Sequence, residues 1–165
     1  MKCVRCKKKE GVIIIPSLEK KACNNCYSQI IEKRFNKTIK KIYTNLRNAR
    51  LTVRRPSDEI LKHLLIKRGV TLGKGVKIGT HTLDDLSISI IKSLNSGKDQ
   101  IIKEPSPLEG ISEEELKQYA KINKLKFDGN KRTGEDKKLH DFLIKINDRR
   151  PGVMYSIKDF IKKII

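Results

Sequence analysis

Hydrophobic positions recur with a helical period after a short apolar segment in the middle of the chain. Residues 76–78 predict a short buried strand, and a polar turn follows them. Apolar side chains then occur at i, i+3, i+7, i+8 and i+11, which places them on one helix face; they are Leu83, Leu86, Ile90, Ile91 and Leu94. Residues 95–97 supply a helix stop. The pattern predicts half of an α/β sheet unit, whose ligand sites lie at the carboxyl ends of strands.

Five more helices follow from periodicity and capping signals. The first is expected over residues 25–46. Ser57 or Asp58 is expected to cap the next, and Ser112 with Glu115 three residues later forms a capping box for another. The final helices carry Leu139, Phe142, Leu143 and Ile146 and then Ile157, Phe160, Ile161 and Ile164. Short strands are predicted within residues 11–16 and at 125–127, and a loop at 128–134.

Charge adds a strong constraint, because the 165-residue chain carries 38 basic and 19 acidic residues, a net charge of +19. Residues 1–50 hold 14 of the basic residues against 3 acidic ones. Such a surface attracts polyanions by releasing their counterions, although solvated lysines of a thermophile are an alternative. No apolar run approaches the roughly 18 residues that span a bilayer, and the first residues contain no apolar region of signal-peptide length. We therefore expect a cytoplasmic protein with no membrane partner.

The cysteines form two CxxC pairs, a spacing typical of a tetrahedral thiolate site that zinc usually occupies. They are Cys3, Cys6, Cys23 and Cys26. Two disulfides are the alternative, which a reducing cytoplasm disfavours. Four thiolates leave no open coordination position, so the zinc is expected to be structural. Residues 1–28 are then a zinc ribbon whose folding free energy the metal supplies.

The helix after the ribbon alternates an apolar stripe with a basic face, an arrangement that can pack on a core and still contact phosphates. A solvated surface is the alternative. Further basic residues lie in the connector, in the 128–134 loop and before Pro151. The predicted RNA contacts are Lys33, Arg34, Lys37, Lys40, Lys41, Arg47, Arg50, Arg54, Arg55, Lys131, Arg132, Arg149 and Arg150.

Between the central strand and helix lie His81, Asp84 and Asp85. Carboxylates suit the positive end of a helix dipole, so capping explains them without further function. The stretch Thr80-His81-Thr82-Leu83-Asp84-Asp85 also resembles the GHNLDD motif of the PP-loop ATPases that thiolate tRNA uridines (the TtuA and cytosolic thiouridylase family). The resemblance implies that these three residues are a remnant of that motif.

Other segments resemble the same family in the same order. Cys26-Tyr27 and the following Glu32, Arg34, Thr38 and Ile39 match its ribbon helix, and Asp141-Phe142-Leu143 with Arg150-Pro151-Gly152 matches its carboxyl-terminal DFL and RPG elements. The resemblance covers residues 3–39 and 57–161. It implies an α/β PP-loop fold of adenine nucleotide alpha hydrolase type, with helices around a small parallel sheet.

The chain also departs from that family. Residues 40–55 contain no glycine and thus no SGGKDS phosphate loop, and Ser96-Gly97-Lys98-Asp99 is expected to be a helix end. Arg54, Ser57 and the neighbourhood of Asp128 stand where the resemblance would place cluster cysteines, and such side chains hold no iron–sulfur cluster. Neither ATP nor such a cluster is therefore expected. The predicted organisation is a ribbon over 1–28, a basic linker helix and connector over 29–55, and a truncated PP-loop-like α/β domain over 56–165.

These observations favour a non-catalytic, RNA-binding zinc-ribbon protein, with tRNA as the RNA and a complete PP-loop enzyme as a possible partner. The alternative is a structural or accessory protein of a ribonucleoprotein such as the ribosome, with ribosomal RNA and ribosomal proteins as partners. A third hypothesis is a split enzyme whose phosphate loop comes from another chain.

Overall fold

The computed structural model describes residues 1–16, 18, 20–99, 101–102 and 104–164, and side chains as far as residue 160. It contains a hairpin, a parallel sheet and six helices within those residues. The elements are β1 (Ile13–Ile15), β2 (Lys20–Ala22), α1 (Asn24–Ile42), β3 (Asn48–Arg50), α2 (Pro56–Lys67), β4 (Thr71–Leu72), β5 (Val76–Lys77), α3 (Leu83–Ser96), α4 (Glu113–Ile122), α5 (Gly134–Arg149) and α6 (Val153–Ile164). The mixed α/β class expected from the sequence is confirmed.

The amino-terminal hairpin leads directly into the longest helix. β1 and β2 pair antiparallel, with Ile13 opposite Ala22, as predicted for residues 11–16. In α1 the side chains of Ile31, Phe35 and Ile39 are fully buried, four residues apart on one face. The helix ends at Ile42 rather than at residue 46, because Tyr43 is already extended and the chain turns into β3.

The three-stranded sheet is parallel, in the order β4-β3-β5. Its central strand, β3, lies within the stretch predicted to be a connector. The prediction of a buried strand at residues 76–78 is wrong for Val76 and Lys77, which are exposed because β5 is an edge strand; only Ile78 is buried.

The chain crosses from one side of β3 to the other between β4 and β5, and Gly75 makes this crossing possible. A Cβ atom on Gly75 would lie 2.6 Å from the carbonyl carbon and oxygen of Asn48 and 2.9 Å from the amide nitrogen of Ala49. Those contacts are with backbone, which has little freedom to move in the middle of a sheet. Glycine is therefore required at this position.

One hydrophobic core extends from the ribbon to the sheet. It contains Cys3 and Ile15 of the ribbon together with Phe35 of α1, Ile60 of α2 and Tyr119 of α4. A second, smaller cluster joins α3, α5 and α6 through residues such as Leu143 and Met154. The ribbon is thus continuous with the core of the α/β part.

The predicted stripe of α3 is only partly right. Leu83 and Ile90 are buried, but Leu94 is 61% exposed and Ile88, which lies outside the predicted stripe, is buried. The buried face is rotated because α3 packs against both α5 and α6. Gly97 ends the helix in the left-handed conformation (φ 63°), as expected from the stop signal.

The other capping and packing expectations had mixed outcomes. Ser112 caps α4 with Glu115, as predicted. For α2 the expected cap is wrong: Arg55 is the N-cap residue, and the Asp58 carboxylate accepts the backbone N–H groups of Arg54 and Arg55 at 2.9 Å. Residues 125–127 form no strand although each is described, since nothing pairs with them.

The last two helices bury less of their apolar surface than the pattern predicts. Phe142 is 54% exposed and Phe160 is 52% exposed, whereas Leu143 is buried. The predicted core positions Ile161 and Ile164 lie outside the described side chains. Among the described residues, every helix is too short or too polar to cross a membrane.

The crossing at Gly75 gives a direct test of the sheet. Gly75→Ala should lower the free energy of unfolding by about 1–3 kcal/mol, because the added methyl group overlaps backbone atoms of β3. Gly73→Ala is the matched control, since Gly73 has a similar φ of 149° but no atom within 4 Å of its Cβ position. Urea denaturation measures both, and equal losses would show that the close approach is not the constraint.

Candidate metal centre and nucleic-acid interface

The predicted zinc ligands come together at one point of the ribbon. The Sγ atoms of Cys3, Cys6, Cys23 and Cys26 all lie within 4.8 Å of one another, and all four thiols are free of disulfides. The first pair precedes a tight turn at Lys7 (φ 56°), and the second pair lies at the start of α1. The arrangement can hold a metal, and the disulfide alternative is not adopted.

The surroundings of these thiols suit thiolate ligands. Backbone N–H groups, first that of Cys6, lower the pKa of Cys3 to about 6. Burial, together with the neighbouring cysteines, raises the pKa of Cys26 to about 12. A bound metal cation would lower the pKa of Cys26 again, because the charge of the metal stabilises every thiolate around it.

The second notable site is a charged corner, defined here as Arg55, Asp85, Glu113 and Arg132 with the groups that contact them. Nη2 of Arg132 contacts Oδ1 of Asp85 at 2.6 Å and also pairs with the carboxylate of Glu113. Arg55 contacts the other oxygen of Asp85 at 2.8 Å. The corner lies past the carboxyl end of β5, where the α/β pattern places a site.

Each acidic group of the corner already has hydrogen-bond partners. Asp84 is fully buried, accepts the backbone N–H of Glu113 at 2.7 Å and lies 3.3 Å from Nε2 of His140. Burial alone would raise the pKa of Asp85, but the N–H of Thr82 and the guanidinium groups of Arg55 and Arg132 lower it on balance. Asp85 is therefore held as a carboxylate.

His81 lies beside the corner but does not join it. Its side chain is buried, and its Nε2 has no hydrogen-bond partner among the described residues. Burial lowers the pKa of His81, against the opposing charges of Glu109 and Asp85. The motif-like triplet is thus divided: Asp85 is bound into ion pairs with Arg55 and Arg132, Asp84 accepts a backbone hydrogen bond, and the buried imidazole of His81 lies next to them.

The structure also brings together the two segments in which the resemblance would place cluster cysteines. The backbone N–H of Ser57, at the start of α2, donates to Oδ1 of Asn130 at 3.2 Å. Asn130 lies two residues after Asp128 and also donates to Glu113 at 3.0 Å. Polar and charged side chains fill this junction in the part of the chain that the structure describes.

The candidate RNA contacts fall into two groups. Arg34, Arg55 and Arg132 are engaged inside the protein: Arg34 contacts Glu115 at 2.6 Å, and the other two belong to the charged corner. The remaining ten are exposed, and they are Lys33, Lys37, Lys40, Lys41, Arg47, Arg50, Arg54, Lys131, Arg149 and Arg150.

The exposed lysines of α1 share one helix face, because positions 33, 37, 40 and 41 recur at the helical period. Two cations at the carboxyl-terminal end of α2 that the sequence did not single out lie beside them. Nη1 of Arg68 donates to Asn36 at 2.7 Å, and Nζ of Lys67 contacts Glu32 at 2.6 Å. These contacts join residues more than 30 positions apart, so local sequence pattern carries no signal for them.

Comparisons with known proteins bear on the fold alone. No protein family and no curated protein matches the sequence. The chain is similar to the solved structure of the U34-tRNA thiolase NcsA from Methanococcus maripaludis with its 4Fe-4S cluster. The TM-score is 0.78 at 13% sequence identity, over 99% of this chain and 87% of that chain. The fold is therefore that of a tRNA thiolase, in agreement with the fold that the sequence resemblance implies.

The charged corner predicts a strong dependence of stability on one residue. Arg132→Met should lower the free energy of unfolding by about 3–5 kcal/mol, because it leaves the buried carboxylate of Glu113 without its cation and leaves Asp85 with Arg55 alone. Lys92→Met is the control, since Lys92 is 29% exposed and pairs with the exposed Asp136; its expected cost is about 0–1 kcal/mol. Urea denaturation would contradict this account if the two variants were equally stable.

Proposed function

We propose that this protein is an RNA-binding zinc protein that uses the tRNA thiolase fold to hold a tRNA-type RNA without performing the thiolation itself. The observation that carries the proposal is the exposed face of α1, which presents four lysines and no carboxylate. Glu32, the one acidic residue of that helix, is already paired with Lys67.

Electrostatics favours a phosphate backbone as the ligand of this face. The four lysines of α1 span residues 33–41, which is about 12 Å of helix at 1.5 Å per residue. Cations at such spacing displace counterions from several neighbouring phosphates. Arg68 extends the same surface from α2. A continuous cationic face next to a large positive net charge is the electrostatic footprint of a nucleic-acid-binding protein.

Zinc is the metal that the ribbon fits best. Four sulfur atoms around one zinc ion lie about 3.8 Å apart, because each Zn–S bond is about 2.3 Å long in a tetrahedron. The Sγ atoms of Cys6 and Cys23 are 3.9 Å apart. Ligands of a four-iron cluster bind four different iron atoms and so stand further apart than this. The compact set of thiols favours a single ion with a structural role.

The absence of catalysis is part of the proposal, and the charged corner supports it. The ion pairs of Arg55 and Arg132 with Asp85 and Glu113 neutralise these groups. Little of their charge is therefore left to bind a nucleotide or a metal. A catalytic PP-loop protein is then the expected partner wherever thiolation of the bound RNA takes place.

The RNA-binding face is tested by removing its charges. A variant with Lys33, Lys37, Lys40 and Lys41 changed to Gln should bind tRNA more weakly, and the slope of log affinity against log salt should fall by up to about 3. The matched control changes Lys121, Lys137, Lys138 and Lys145, which are also exposed and carry the same total charge. Filter binding over a salt series measures both variants.

Unchanged tRNA affinity in the α1 variant, or an equal loss in the control, would contradict the proposed face.

The same preparation titrated with ATP in a calorimeter tests the non-catalytic part of the proposal. No heat of binding is expected, and tight ATP binding would refute it.

A further inference from the structure

A groove of about 430 Å³ lies between the ribbon hairpin and the helices α4 and α5. Residues of β1, with Val12 before them, form one wall, and residues of α4 and the end of α5 form the other. The described residues that line it include none from β2, so the groove lies on the side of β1 that faces away from β2. Val12 is 59% exposed and Ile14 is 58% exposed. Neither the metal centre nor the charged corner reaches this groove.

The backbone of β1 has an open edge toward this groove. The carbonyl group of Ala22 faces β1, since it accepts the N–H of Val12 at 3.0 Å, whereas the carbonyl group of Lys21 accepts the N–H of Val4 at 2.9 Å. Ile14 lies opposite Lys21, and residues opposite each other in an antiparallel pair point their backbone groups either both inward or both outward. The N–H and C=O of Ile14 therefore point away from β2, and no described residue forms a hydrogen bond with either group. Such an edge can pair with another extended chain.

The lining of the groove combines apolar surface with carboxylates and contains no cation. Ile13 and Tyr27 supply apolar surface, and Glu114 and Asp148 supply exposed carboxylates. Glu114 accepts the side-chain amide of Gln118 at 3.0 Å, but neither carboxylate forms an ion pair with a described residue. None of the described lining residues is a lysine, an arginine or a histidine, although the chain carries 38 lysines and arginines. The groove is therefore an acidic site on a strongly basic protein.

We propose that this groove binds an extended, cationic segment of a partner protein, which pairs with β1 as an added strand. The inference goes beyond the proposed function, because it concerns a protein partner and does not depend on the α1 face. The backbone of the segment would form hydrogen bonds with Ile14, and its apolar side chains would cover Val12 and Ile14. Its lysines or arginines would pair with Glu114 and Asp148. In such complexes main-chain hydrogen bonds provide affinity, and the side-chain contacts provide specificity.

Two other occupants fit the groove less well. RNA is disfavoured, because binding of a phosphate backbone requires cations and the lining presents carboxylates instead. A second copy of this chain could pair through its own β1, but residues 12–16 contain no cation to neutralise Glu114 or Asp148. The combination of an open strand edge, an apolar wall and two unpaired carboxylates is matched by a peptide that carries both apolar and basic side chains.

The test of the charges uses a fluorescent eight-residue peptide of alternating lysine and valine, titrated with the zinc-loaded protein and followed by anisotropy. The variant Glu114→Gln with Asp148→Asn should bind it about tenfold more weakly, a loss of about 1.4 kcal/mol. Asp128→Asn with Asp141→Asn is the matched control, since both residues are exposed, lie outside the groove and change the net charge equally. The control should bind like wild type. A peptide with glutamine in place of lysine should bind wild type and the groove variant with equal affinity.

The test of the strand pairing uses two N-methylated forms of the lysine–valine peptide. One carries methyl groups on the amides of its lysines, and the other carries them on the amides of its valines. Alternate amides of a strand face the same edge, so only one of the two forms should lose affinity. Equal affinity of both methylated forms and the parent peptide would overturn the pairing with β1.

Three further outcomes would overturn the inference. The first is that the lysine–valine peptide does not bind to the wild-type protein, or binds equally to wild type and the groove variant. The second is that a glutamate–valine peptide binds more tightly than the lysine–valine peptide. The third is a wild-type dimer in sedimentation that Ile14→Asp dissociates, because a second copy would then occupy the groove. No RNA enters these experiments, so their outcome is independent of RNA binding at the α1 face.

Discussion

The structure depends on the packing of α1, because one face of this helix is buried in the core and the opposite face is exposed to solvent. Ile31, Phe35 and Ile39 are completely buried in the core that joins the ribbon to the sheet. Burying one such side chain contributes about 1.5–3 kcal/mol, so this face fixes the helix firmly in place. The opposite face carries lysines and is exposed. The position of the cations is therefore set by the apolar side of the same helix.

The ribbon is the part of this arrangement that cannot fold by itself. Its hairpin has strands of three residues, and such a pair is at best marginally stable in water. Two contributions compensate: the metal that the four thiols are arranged to bind, and the burial of Ile15 and Ala22 in the shared core. Because α1 begins at the second cysteine pair, we expect metal binding at the ribbon and packing of the helix to be coupled.

Local sequence signals predicted much of this molecule because their causes are local. The CxxC pairs, the Ser112–Glu115 capping box and the Gly97 stop each involve residues within a few positions, and each is found as expected. The ion pairs of Arg132 with Asp85 and Glu113 join residues far apart in sequence, so no local pattern shows that Arg132 is internal. The exposure of Leu94 and the crossing at Gly75 likewise follow from how whole elements pack. The position of Lys67 and Arg68 beside the exposed lysines of α1 also follows from how whole elements pack.

The coupling of metal, helix and RNA is the central claim, and one measurement tests it most directly. The purified protein is treated with a metal chelator while α1 packing is followed by two-dimensional NMR and tRNA affinity by fluorescence anisotropy. The account predicts that loss of the metal moves the resonances of Tyr27, Ile31 and Phe35 toward random-coil chemical shifts and weakens tRNA binding in parallel. Adding zinc should reverse both changes. Resonances and affinity that stay unchanged after complete removal of the metal would contradict it.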